Sequence, residues 1–149
     1  YLECKVRCTP LLVDQVNAII NPLVAPYIIA TPEKKASEKL AEFLAEQQIA
    51  ISIRDKATGG TLQTLLQNPE NYQWVSFYEK NDVAFYFEID GLENYWQKKV
   101  GGLSLTLQYR YQGKTQVERN ELPYRSSLVL HHAAEWLCFR LFHLINTLH

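Results

Sequence analysis

The sequence predicts an α+β fold: an antiparallel sheet of about six strands packed against two N-terminal helices and one long C-terminal helix. Three observations predict it. Apolar residues recur at every second position through most of residues 74–121. They recur at helical spacing before and after that stretch, and Gly or Pro stands at many of the switches between the two periods. The expected order is β-α-α-β-(short α)-β-β-β-β-α, a single domain over residues 1–149. That length suffices for one core without a stabilising crosslink.

The first element reads as a strand, because Leu2, Cys4, Val6 and Cys8 alternate with Glu3, Lys5, Arg7 and Thr9. Cysteines four apart on a strand are separated by roughly 13 Å, too far for a disulfide. Both are expected to be buried free thiols. Thr9-Pro10 then opens helix one, whose apolar stripe is Leu12, Val16, Ile19, Ile20 and Leu23. Pro22 is expected to kink or end it, and Pro26 to stop any remainder. Thr31-Pro32-Glu33 opens helix two, which buries Ala36, Leu40, Phe43 and Leu44 and runs to about Gln47. Ile49, Ile51 and Ile53 alternate in a short strand.

The segment KATGGT is a glycine turn before the short helix TLQTLLQ, which Asn68-Pro69 stops. Such a turn can hold an anion on free N–H groups, but the GxxxxGK[ST] pattern is absent and a plain loop is expected. Strands over 74–80, 83–90, 102–112 and 115–121 form an antiparallel meander, turned at Asn81-Asp82 and Gln112-Gly113. GLENYWQKKVGG is its one long connection. The final helix runs from Leu128 to about Leu148, with Ser126 or Ser127 as its cap. Leu130, Ala134, Leu137, Leu141, Leu144, Ile145 and Leu148 form its apolar face, and Trp136, Phe139 and Phe142 widen the arc beyond what one small sheet covers.

Composition narrows the function. Apolar residues are 47% and charged residues 21% of the chain, and the formal charge is −1. Neutralising phosphates takes a basic face, so nucleic acid is not an expected partner. The most apolar stretch, Leu128 to Ile145, contains His131, His132, Glu135, Arg140 and His143, so no membrane span is expected. Compartment stays open, with a cytoplasmic location favoured.

The best catalytic or metal candidate is HHAAEW, where His131 and His132 stand four and three residues before Glu135. HExxH and HxxEH are both absent, as is the GxSxG nucleophile elbow. Glu88 and Asp90 fall on a solvent-facing strand side. No metal or cofactor is therefore expected, and the reading leans away from an enzyme. Arg110, Lys114, Arg119 and Arg125 cluster around one hairpin as a docking patch for a protein partner. Phe142, at the edge of the terminal helix's arc, is the expected contact for a partner or a second copy. Tyr109 and Tyr111 lie on the apolar side while Arg110 points the other way, which breaks up a base-stacking platform. The expected function is a non-enzymatic protein-interaction or assembly domain, a subunit or excised domain of a larger bacterial complex. The alternative is a carrier of a small apolar ligand, in which the sheet grips the C-terminal helix around a cavity lined by Phe85, Phe87, Leu105 and Trp136.

Overall fold

The computed structural model describes residues 9–25, 34–80, 82–122 and 127–149. The expected first strand with Cys4 and Cys8, the Thr31-Pro32-Glu33 helix start, Pro26, Asn81, Ser126 and Arg125 lie outside the described residues.

Helices and strands make a mixed α+β arrangement. A 3-10 turn, Pro10–Leu12, leads into α1, Val13–Val24. Pro22 does not end this helix. It sits in the last turn, where one backbone bond is lost but the Ala25 N–H still reaches the Asn21 carbonyl. Helix α2, Ala36–Gln47, starts later than a Thr31-Pro32-Glu33 opening would place it: Lys35 is extended, ψ 151°, and its N–H meets the Glu38 carboxylate at 3.1 Å. It stops at Gln48 in the left-handed conformation, φ 54°. Strand β1 is Ile51–Asp55, α3 is Thr61–Leu66, β2 is Val75–Ser76 and β3 is Phe85–Gly91. A single turn, α4, Glu93–Trp96, lies within the long connection between β3 and the next strand. Strands β4, Leu103–Tyr111, and β5, Lys114–Leu122, form a hairpin about Gln112-Gly113, both at positive φ. Helix α5 is Val129–Leu148, with Leu128 rather than Ser127 in the N-cap position.

The sheet corrects the expected antiparallel arrangement. Its order is β2-β1-β3-β4-β5, with β1 parallel to both β2 and β3 and only the last two pairings antiparallel. Five strands are described rather than six. Segment 74–80 does not turn back on 83–90; only Val75 and Ser76 pair, and they pair with Ile51 and Ser52. The physical reason lies in β1. Ile51, Ser52 and Ile53 are all buried, so this strand is covered on both faces and takes a central position between two neighbours.

One face of the sheet carries the core. Phe85, Phe87 and Ile89 of β3 and Leu103, Leu105 and Leu107 of β4 are buried with Leu40 and Leu44 of α2, Leu62 and Leu66 of α3, and Leu137, Leu141 and Ile145 of α5. The Phe85 and Tyr111 rings stack at 4.5 Å. Polar ties fix the helix layer. Glu135 of α5 accepts from the Ser37 N–H at 3.0 Å and the Ser37 hydroxyl at 2.7 Å, joining α5 to the first turn of α2. Arg140 donates two parallel bonds to Glu118 of β5, at 2.9 and 2.7 Å.

Candidate functional site

Parallel strands open their carboxyl ends on one side of a sheet, and in α/β sheets that is where ligands collect. Here β1 and β3 end beside each other, so the loop after β1 and the α4 turn after β3 meet. Asp55 closes that loop from inside. One of its carboxylate oxygens accepts the Ala57 and Thr58 N–H groups, each at 2.9 Å, and the other accepts the Thr58 hydroxyl. Thr58 Oγ1 in turn accepts the Leu62 N–H at 3.0 Å, which satisfies a donor in the first turn of α3. The indole N–H of Trp96 reaches the Ala57 carbonyl at 2.8 Å, and its ring lies against Gly59. A Cβ at Gly59 would come within 2.8 Å of that ring, at a φ of +61°. Lys56 pairs with Glu88, whose carboxyl is held below its usual range by that hydrogen bond. The glycine turn thus spends the Ala57, Thr58 and Leu62 donors on its own side chains. Sequence reasoning missed Trp96, although the apolar Tyr95-Trp96 pair inside a polar connection was the available signal.

In the HHAAEW cluster the carboxylate is engaged by α2. Glu135, 2% exposed, directs both carboxylate oxygens to Ser37. The His131 and His132 rings are 6.4 Å apart. Among the described residues no group of three or more His, Cys, Asp or Glu side chains is placed to hold a metal ion. One turn on, Cys138 is wholly buried, and burial, with the Glu135 charge behind it, pushes its thiol well up. His143 is held below its usual value by burial and by Arg140.

The basic residues divide between two faces. Arg110 and Arg119 project from the polar side of the sheet, Arg110 at 3.9 Å from Glu79 and Arg119 at 3.7 Å from Glu121. Lys114 stands opposite Tyr111 on the helix side. Phe142 is half-buried, with its ring edge-on to Phe43 of α2 at 5.0 Å. Two surface clefts lie nearby. One of about 330 Å³ is lined by Val83, Ala84, Tyr86, Arg110, Gln112 and Gly113. The other, about 190 Å³, lies between Tyr109, Tyr111 and Leu148. Neither is lined by Phe85, Phe87, Leu105 or Trp136; the first three are wholly buried in the core. Among the described residues no helix is long and apolar enough to cross a membrane.

Solved structures provide a fold relationship. The competence-damaged protein (CinA) superfamily protein from Enterobacter cloacae matches at a TM-score of 0.54, over 82% of this chain and 98% of that one, with 14% identity. The fold is CinA-like. The competence or damage-inducible protein from Enterobacter asburiae matches at 0.56, covering 75% of this chain and 99% of that one at 13% identity. The competence damage-inducible protein A from Klebsiella pneumoniae matches at 0.53, covering 71% and 92% at 11% identity. No family model and no curated protein matches the sequence. At these identities the CinA-like relationship is one of architecture.

Proposed function

We propose that the chain is a non-enzymatic protein-interaction or assembly domain, a subunit or excised domain of a larger bacterial complex. The observation that carries this reading is α1. Val13, Val16, Ile19, Ile20 and Leu23 share one arc of the helix, and none of them is buried; Ile19 is 68% and Leu23 70% exposed. A helix of twelve residues is marginal in water and is stabilised by burying its apolar stripe. Its polar side carries Asp14 and no Lys or Arg, unlike a helix that lies on an anionic membrane. A protein surface is what this stripe fits. The loop after β1 fits the non-enzymatic half of the reading, since Asp55 and Thr58 take up the Ala57, Thr58 and Leu62 N–H groups within the chain.

Arg110 and Arg119 on the polar sheet face, Lys114 at the hairpin and Phe142 at the rim of the helix layer are the docking positions in this reading. Light scattering and native mass spectrometry of the whole chain test it. An oligomer that falls to monomer in the Ile19→Asp/Leu23→Asp variant, with an unchanged unfolding transition, is the expected result. A wild-type chain that stays monomeric at its highest soluble concentration, and a variant indistinguishable from it, would remove assembly through α1.

A further inference from the structure

Arg110 is held differently from Arg119 and Arg140. Arg140 commits its planar fork to Glu118, and Arg119 lies within 3.4 Å of the Ser104 hydroxyl. The Arg110 guanidinium instead lies over the Tyr86 ring, 5.0 Å from its centroid. Tyr86 is opposite Arg110 in the β3–β4 register and is only 8% exposed, so the platform beneath the cation is fixed. The nearest carboxylate, Glu79, stands at 3.9 Å, beyond hydrogen-bond distance. A cation–π contact consumes none of the guanidinium's N–H donors outright, so Arg110 keeps donors to offer a ligand. Arg110 lines the 330 Å³ cleft together with Val83, Ala84, Tyr86, Gln112 and Gly113.

We propose that this cleft binds a carboxylate carried on a short apolar body, as an acidic peptide of a docking partner presents it. Arg110 supplies two parallel N–H donors to the carboxylate, the pairing that its planar fork fits. Val83 and Ala84 contact the apolar portion. Glu79 is the resident competitor, close enough to weaken binding and too far to saturate the cation. The site deepens the docking reading and rests on it.

The test is an NMR titration of the whole chain with three probes: N-acetyl-leucine, its uncharged amide N-acetyl-leucinamide, and N-acetyl-glutamate N-methylamide. The two carboxylates distinguish a terminal from a side-chain acid. Binding of either one supports the site, with shifts at the Arg110 Nε–H and the Ala84 and Gly113 amides. The neutral amide should bind about tenfold more weakly or worse, the scale of a charge-assisted hydrogen bond. Arg110→Gln should lose binding by a similar factor, Glu79→Gln should tighten it, and Arg119→Gln should leave it unchanged. Circular dichroism checks that each variant is folded. Equal binding of acid and amide, no response to any carboxylate, or binding that survives Arg110→Gln would overturn the proposal. Any of these leaves assembly through α1 standing, whereas a failed light-scattering test leaves the titration intact, so the two failures are distinguishable.

Discussion

Helices α1 and α2 are each twelve residues long and each carries an apolar stripe, yet α2 buries Ala36, Ser37, Leu40 and Leu44 while α1 has no fully buried side chain among those described. The difference does not lie in the stripes themselves, because α1 is the more apolar of the two in composition. It lies in what stands opposite. Helix α2 packs against α5 and α3, with Phe43 meeting Phe142 and Ser37 meeting Glu135. Amphipathic spacing therefore states that a helix needs a counter-surface, and the identity of that surface comes from elsewhere in the chain or from another molecule.

The sharpest way to test the contrast is to remove a methyl-rich side chain from each helix. Leu40 of α2 is wholly enclosed. Leu40→Ala should cost ~2–5 kcal/mol, the range for a buried leucine that leaves a cavity. Urea unfolding should show a lower midpoint at an unchanged slope. A cost below ~1 kcal/mol would mean that α2 is as loosely partnered as α1.

Phe142→Ala comes next. A fully buried Phe→Ala costs ~3–5 kcal/mol, and the half-buried ring of Phe142 should cost about half of that, including its edge-on contact with Phe43. Melting and light scattering should be read together. Loss of stability alone makes Phe142 a tie between α5 and α2, whereas loss of association at an unchanged melting temperature makes it a docking position.

An effect of similar size is expected at Glu135. Glu135→Ala leaves the Ser37 N–H and hydroxyl without their buried acceptor, which should cost ~1–3 kcal/mol. The double variant Ser37→Ala/Glu135→Ala should recover part of that loss if the pair acts as a unit, and a strictly additive result would show that it does not.

These positions also mark what was legible in the sequence. The hairpin β4–β5 was readable because Leu103, Leu105, Leu107, Tyr109 and Tyr111 alternate without a break around Gln112-Gly113. Helices α2, α3 and α5 were readable from the same kind of periodicity. Strand order was not. A parallel neighbour leaves no local turn signal, and β2 is too short to show a period, so β1's place between β2 and β3 rests on pairings made 24 to 34 residues away. Of the candidate site, the opposition of Arg110 to Tyr109 and Tyr111 followed from strand geometry. The Tyr86 platform beneath Arg110 required the register between two strands, which composition does not encode locally. The inward turn of Glu135 was hidden for a similar reason, since Ser37 lies 98 residues away.

The smallest effect should come from the α1 counterpart of Leu40. Ile19 is 68% exposed, so truncating it removes little area from solvent contact and leaves no cavity in the core. Alanine also has the higher intrinsic helix propensity, by a few tenths of a kcal/mol, which offsets whatever contact is lost. Ile19→Ala should therefore leave the main unfolding transition within ~0.5 kcal/mol of wild type, as surface substitutions generally do. Its effect should appear in association instead, because the same side chain lies on the stripe proposed to meet a partner. Dilution series by light scattering should show the midpoint of dissociation moving to higher protein concentration while the dilute chain melts as before. A fall of ~2 kcal/mol or more in the stability of the dilute monomer would place Ile19 against a surface within its own chain and end the contrast between the two helices.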